Sequence, residues 1–150
     1  MPASRPHGSR CPLMPNAPFP TPIPDPWSEE FWAGCKRHEL LLQECNDCDK
    51  PRHYPRLTCP FCASPEYSWV KASGKSTLYS YVVVHPPTLP VFKNDVPYPV
   101  ILVELEEGPR MVSNVTDCAI DDLVIGMDLE LVFDDVTEDL TLPKFKPVGS

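Results

Sequence analysis

Two short cysteine pairs constrain this chain more than any other feature. Cys45-x-x-Cys48 and Cys59-x-x-Cys62 each leave two residues between thiols, a spacing at which one tight turn aims both sulfurs at one ion. Two such turns supply four thiolates, the closed tetrahedral set of a single structural zinc, with no position left for water or substrate. The ten residues between the pairs are fewer than the common spacing of roughly 15–20, yet enough for one short hairpin of a zinc ribbon. The alternatives are a redox pair or four metal-free cysteines, and redox use needs one exposed, low-pKa pair rather than two. Asp49 and Ala63 follow the pairs where a glycine often stands. Alanine takes left-handed backbone poorly, so the second knuckle is expected to be irregular. Lys50, Arg52, His53 and Arg56 lie between the knuckles. They either neutralise the doubly negative zinc tetrathiolate or meet an acidic surface or a phosphate.

The remaining cysteines, Cys11, Cys35 and Cys118, bring the total to seven, an odd number that suits a reducing compartment better than a disulfide framework. Arg5 and Arg10 are followed by no apolar run, so a signal peptide is not expected. No stretch approaches the roughly 20 apolar residues of a membrane span. The expected location is the cytoplasm. With 150 residues and 42 % hydrophobic content, the chain has enough apolar material for one core. Its net charge is −8 and unevenly spread. Residues 50–75 hold five bases and one acid, whereas residues 94–150 hold thirteen acids and three bases. This balance argues against a general nucleic-acid binder, which needs a positive surface to release counterions. The polarity itself fits either docking on a partner or two ordinary solvated faces.

Of 21 prolines, nine fall in residues 1–26, which reads as an extended arm over 1–24. Asp25 followed by Pro26 signals a helix start, with Glu29 and Glu30 favoured by the helix dipole. Trp27, Phe31, Cys35 and His38 form one apolar stripe. Gly34 weakens this helix, which is expected to end between Gly34 and His38. Leu40–Glu44 reads as a strand running into the first knuckle. Further strands are expected at Tyr67–Lys71, Ser76–His85, Val100–Glu106, Met111–Val115 and Met127–Phe133. Ser73-Gly74, Pro86–Pro97, Glu107-Gly108-Pro109 and a short helix or turn at Ile120–Gly126 separate them. Five strands at this spacing suit a small OB-fold barrel. The expected fold is mainly β, with an N-terminal helix and four-cysteine zinc ribbon over 25–66 and a five-stranded barrel over 67–148.

The order of motifs is itself informative. Phe31-Trp32 on a capped helix precedes Leu40-x-Leu42-Gln43-x-Cys45-x-x-Cys48 and Tyr54-Pro55-Arg56-x-x-Cys59-Pro60-x-Cys62. Trp69, Ser73-Gly74, Leu78-Tyr79-Ser80-Tyr81, Pro97-Tyr98-Pro99-Val100, Val103-Glu104-Leu105-x-Glu107-Gly108 and Ile125-Gly126-Met127 follow. Over residues 25–147 the chain resembles the zinc-ribbon plus OB-fold proteins grouped as domain of unknown function thirty-five. That resemblance implies a companion of thiolase-like enzymes acting on acyl-CoA: thiolases, retro-aldolases or acyltransferases. It further implies that the catalytic groups sit in the thiolase-like subunit, while the small protein helps form a substrate or CoA cavity and holds the assembly. The chain shows no G-x-S-x-G elbow, phosphate-cradling glycine loop or H-E-x-x-H, so a non-catalytic role fits.

Arg52, Arg56 and Lys75 are the candidate contacts for a CoA phosphate. Trp27, Phe31 and Trp32 are the candidate partner anchors, since Trp is enriched at interface hot spots. The alternative for Trp32 is packing on its own ribbon. The expected assembly is two of these chains on a thiolase-like dimer, sharing acyl-CoA as ligand. Single-strand nucleic-acid binding is the competing reading, because ribbons and OB-folds both do that work. It needs a basic groove with stacking aromatics, and Tyr79, Tyr81 and Tyr98 lie in the acidic half. His85 reads as a strand-end residue, Cys35 and Cys118 as buried small hydrophobes. Asp134, Asp135, Glu138 and Asp139 read as a solvated acidic strand end.

Overall fold

The computed structural model describes residues 20–149. Most of the arm expected over 1–24 lies outside the described residues, and 20–24 are exposed without regular structure. The helix starts later than the Asp25-Pro26 signal predicts: Asp25 opens a turn through its backbone groups, the N-cap position falls on Ser28, and no side-chain cap bond forms. The Asp25 carbonyl accepts from the Ser28 and Glu29 N–H groups, and Ser28 Oγ accepts from the Asp25 N–H at 3.0 Å. This opening turn leads into helix α1 (Glu29–Lys36). Gly34 has a packing reason: a Cβ there would sit 2.8 Å from the Leu41 side chain and 2.9 Å from the Glu39 carbonyl, so glycine lets the helix lie against the strand that follows.

That strand is β1 (Leu41–Cys45), followed by β2 (Pro51–Arg52) and β3 (Tyr67–Lys71). The three form an antiparallel sheet in the order β2-β1-β3. β3 differs from expectation. Its strand character was legible, but all five of its residues pair with β1 from Leu41↔Lys71 to Cys45↔Tyr67, so it completes the ribbon sheet and not the barrel.

The barrel comprises β4 (Lys75–Val84), β5 (Tyr98–Leu105), β6 (Arg110–Ser113), β7 (Asp128–Asp135) and β8 (Thr141–Pro147), in sheet order β6-β5-β4-β7-β8. β8 was not anticipated from the sequence; it contains Pro143 and Pro147, and a proline cannot donate to a ladder and is tolerated mainly at edges. The curled sheet then meets itself. Thr116 donates to the Phe145 carbonyl at 2.8 Å and Phe145 to the Asn114 carbonyl at 3.1 Å, making a parallel bridge between Val115 and Phe145. Ser113 Oγ adds a bond to the Pro143 carbonyl at 2.7 Å. This curled five-stranded arrangement is consistent with an OB-fold. Short 3-10 turns at Pro90–Phe92 and Ile120–Asp122 occupy the expected breaker regions. Gly74 takes φ +83° at the entry to β4, where a Cβ would approach that of Leu131 to 3.1 Å.

One core joins the parts. Phe31 and Cys35 from α1 and Leu40 and Leu42 around β1 pack with Leu78, Ile101, Val103, Met111, Leu129 and Phe145 of the barrel. Burying such side chains is worth roughly 1.5–3 kcal/mol each, so the helix joins ribbon and barrel. The polar links across this junction include His38 Nε2 to Asp135 Oδ1 at 3.0 Å and Lys36 to Asp139 at 3.5 Å. Asp134 pairs with Lys144 at 2.7 Å. Among the described residues, no helix is long and apolar enough to cross a membrane.

Candidate metal centre and its surroundings

β1 delivers Cys45 at its last residue, and the chain turns at once. The Asp49 N–H bonds the Cys45 carbonyl at 2.9 Å, and the Ala63 N–H bonds the Cys59 carbonyl at 2.9 Å. Both closing residues adopt left-handed backbone, Asp49 at φ 55° and Ala63 at φ 63°, so the second knuckle closes as regularly as the first and not irregularly as expected, with alanine in a conformation it takes poorly. The turns aim backbone N–H groups at sulfur: those of Asp47 and Cys48 at Cys45, Lys50 at Cys48, Phe61 and Cys62 at Cys59, and Ser64 at Cys62. As free thiols the four are unequal. Burial dominates at Cys48 and pushes it up to about 12. At Cys59 burial also opposes ionisation, but the Phe61 and Cys62 amides and the neighbouring thiols outweigh it and bring the value to about 6. A bound cation deprotonates all four.

The geometry fits zinc. The four sulfurs lie within 4.8 Å of one another, with Cys45–Cys62 at 3.5 Å and Cys48–Cys59 at 3.6 Å. A regular tetrahedron with Zn–S bonds of about 2.3 Å has edges of about 3.8 Å. Cys45, Cys48, Cys59 and Cys62 would therefore hold one ion, closed to substrate, as a structural centre.

A buried polar hub supports the centre, and the sequence reading missed it. Gln43 is fully buried. Its Oε1 accepts from Arg52 Nε and from the Arg56 N–H, both at 2.8 Å, and its Nε2 donates to the Trp27 carbonyl at 3.4 Å. One side chain thus ties the helix entry, β1, β2 and the inter-knuckle loop together. A glutamine set directly after the Leu40–Leu42 run and two residues before Cys45 was the available signal.

The hub changes the reading of the expected phosphate contacts. The Arg52 guanidinium is buried at 4 % exposure, bonded to Gln43 and the Arg56 carbonyl and lying 5.2 Å from the Tyr67 ring centre. It is therefore turned inward and not toward a phosphate. Lys75 pairs with Glu106 at 3.7 Å and lines a groove with Glu104, Asp128 and Glu130, an anion-repelling setting. Arg56 is exposed. The structure does not gather the three residues into one phosphate site. Of the expected anchors, Phe31 is buried in the core, while Trp27 and Trp32 are half-buried and Trp32 packs edge-on to Phe31 at 5.2 Å. Cys35 is fully buried, and burial pushes its thiol up to about 12. Cys118 is half-buried and His85 exposed beyond β4.

Two other features stand out. A cavity of about 360 Å³ opens where α1, the His53–Pro55 segment, β6 and β8 meet. Separately, the outer barrel face carries an apolar patch. Val82 lies opposite Val100, and Leu102 lies between Ser80 and Val112, with Val82 61 % and Val112 48 % exposed.

Residues 32–68 match a family model described as the ChsH2 rubredoxin-like zinc ribbon domain, and residues 69–134 match the ChsH2 C-terminal OB-fold domain. A DUF35 domain-containing scaffold protein of Methanocaldococcus jannaschii is 36 % identical, the match covering 78 % of this chain and 88 % of that one. The chain belongs to the DUF35 family, the zinc-ribbon plus OB-fold proteins typified by ChsH2. A protein of Thermomonospora curvata called "Probable enoyl-CoA hydratase alpha subunit" is 42 % identical over 78 % of this chain. This chain spans only 36 % of that relative's length. Among solved structures, "Ltp2-ChsH2(DUF35) aldolase" superposes with a TM-score of 0.77 at 38 % identity, covering 85 % of this chain and 98 % of that one. A DUF35 protein from Sulfolobus solfataricus shares the fold at TM-score 0.59 and 15 % identity, covering 81 % and 85 %.

Proposed function

We propose that this chain is a non-catalytic, zinc-stabilised subunit of a thiolase-type enzyme acting on acyl-CoA in the cytoplasm. It helps to form the substrate or CoA cavity and holds the assembly together, in a heterotetramer of two plus two. The observation that carries the reading is the match, over 85 % of this chain and 98 % of the other, to a chain described as "Ltp2-ChsH2(DUF35) aldolase". The name of the T. curvata relative points to acyl-CoA chemistry as well.

The barrel's outer patch supports a docking role. Val82, Val100, Leu102 and Val112 put aliphatic side chains side by side on a chain of net charge −8, and contiguous apolar surface of that kind marks interaction sites. Trp27 and Trp32 add half-buried aromatic area, Trp32 at the cavity wall. Arg56 is the one exposed arginine of the ribbon loop and is the contact proposed for a CoA phosphate.

Co-expression with a thiolase-like protein encoded beside this chain, followed by size exclusion with light scattering, tests the reading. A complex of two plus two that turns over acyl-CoA is expected. Clean separation of the two proteins at micromolar concentration defeats it.

A further inference from the structure

The cavity between α1, the inter-knuckle loop and the barrel is bounded by Phe31, Trp32, Met111, Leu142 and Pro143 on its apolar sides. Two polar side chains on its wall lack partners. Both ring nitrogens of His53 and Oδ1 of Asp25 are shielded from solvent and form no hydrogen bond. They are three of the five such atoms among the described residues. A buried polar atom without a partner costs about 1–3 kcal/mol, and native interiors contain few of them. Here three belong to two side chains that line one cavity, just behind its accessible surface.

We propose that this cavity is a ligand site of the chain itself, taking a neutral, apolar molecule that ends in a hydroxyl or carboxamide. The polar groups select the ligand's chemistry. Burial holds the His53 imidazole near a value of about 4, so at neutral pH one ring nitrogen donates and the other accepts. Asp25 adds an acceptor. The complementary group must therefore both donate and accept. A carboxylate or phosphate would face Asp25, and the cavity's lysine, Lys144, is already bonded to Asp134 at 2.7 Å. An ammonium would leave the imidazole N–H without an acceptor. Tyr54 is 50 % exposed and its ring lies 4.0 Å from that of His53, so it is the side chain that must turn for a ligand to reach the imidazole. The volume, about 360 Å³, is at the small end of ligand pockets, suited to a short chain and not to a whole coenzyme. The inference stands apart from the acyl-CoA reading, because it concerns the single chain.

Three probes with one tail and different heads test it: hexanol, hexanoate and hexylammonium, titrated into the zinc-loaded full chain. The readouts are the imidazole nitrogen resonances of His53 and the indole resonance of Trp32, followed by NMR. Hexanol is expected to move both, with the two charged probes binding more weakly. His53→Leu is expected to weaken hexanol binding about tenfold, the loss of one hydrogen bond, with zinc content unchanged. Asp25→Asn provides a second variant should His53→Leu misfold, and is expected to narrow the gap between hexanoate and hexanol. Tighter binding of hexylammonium overturns the proposal in favour of a cation slot. Unmoved His53 resonances at hexanol saturation overturn it, as does hexanol binding that neither variant alters.

Discussion

Gln43 shows how much a single polar side chain inside the ribbon controls. Its amide oxygen accepts the two bonds that hold the Arg52 guanidinium and the Arg56 backbone. Removing it leaves the buried Arg52 Nε without its acceptor, and losing a hydrogen bond to a charged group costs roughly 1.5–3 kcal/mol. Gln43→Leu is therefore expected to lower unfolding free energy by about that amount in urea titrations of the zinc-loaded chain. At Ala63 the sign reverses. A non-glycine residue at φ 63° carries a left-handed penalty of roughly 1–2 kcal/mol, so Ala63→Gly is expected to raise the denaturation midpoint. The buried His53 sets a pH dependence. Its folded value, about 4, lies below the ordinary 6.5 because burial disfavours the imidazolium. The unfolded chain binds the proton first on acidification, so this contribution is present above pH 6.5 and is lost progressively toward pH 4. The limiting slope is about 1.4 kcal/mol per pH unit. His53→Gln is expected to flatten that stretch of the stability curve; an unchanged slope counts against the assignment.

At the level of elements, legibility followed how local each cause was. The knuckles were readable because C-x-x-C spacing dictates a turn within four residues. The β-branched run Val82-Val83-Val84 announced β4, while Asp25-Pro26 announced the turn before α1 but not its start at Glu29. Tyr67–Lys71 was readable as a strand but not as a ribbon strand, since its five-residue register with β1 is a long-range choice that no local pattern encodes. β8 was hidden because Pro143 and Pro147 dilute the alternation of buried Thr141, Pro143 and Phe145. Gln43 was visible as a letter, while its role depends on Arg52 and Arg56 folding back onto it. The element most dependent on metal is the ribbon. Its residues 45–62 hold little apolar mass of their own, and zinc-dependent modules of this size unfold without the ion. Chelation, or Cys59→Ser, is expected to abolish protection from hydrogen exchange across 45–62 and leave much of β4–β8 protected. One zinc per chain by elemental analysis is the companion expectation.

Across the whole molecule, the charge distribution decides between two uses of the same fold. A single-strand nucleic-acid groove needs cations beside its aromatics. Here Tyr79 is stacked by Arg110 at 3.6 Å, and that arginine is already bonded to Glu104 at 2.9 Å. Fluorescence anisotropy with single-stranded DNA and RNA at physiological salt is expected to show no binding. A micromolar, salt-dependent affinity would restore that reading. For the proposed complex, Val82→Lys with Val112→Lys is expected to abolish assembly while sparing zinc content and far-UV spectrum. Trp32→Ala is expected to weaken it less, because that ring is already half packed against its own chain.

The Val115–Phe145 bridge that draws the barrel's edges together has a temporal consequence. β8 is the last of the barrel strands in chain order, whereas both knuckles and their sheet are complete by Lys71. During synthesis the ribbon can emerge, capture its ion and fold while β8 is still inside the ribosome. The barrel must wait for its final strand, holding Leu78, Ile101 and Val103 without the cover of Phe145 until then. A nascent chain of this design matures in two stages, metal first and closure second. Arrest of translation just before Thr141 should yield a zinc-loaded but open intermediate.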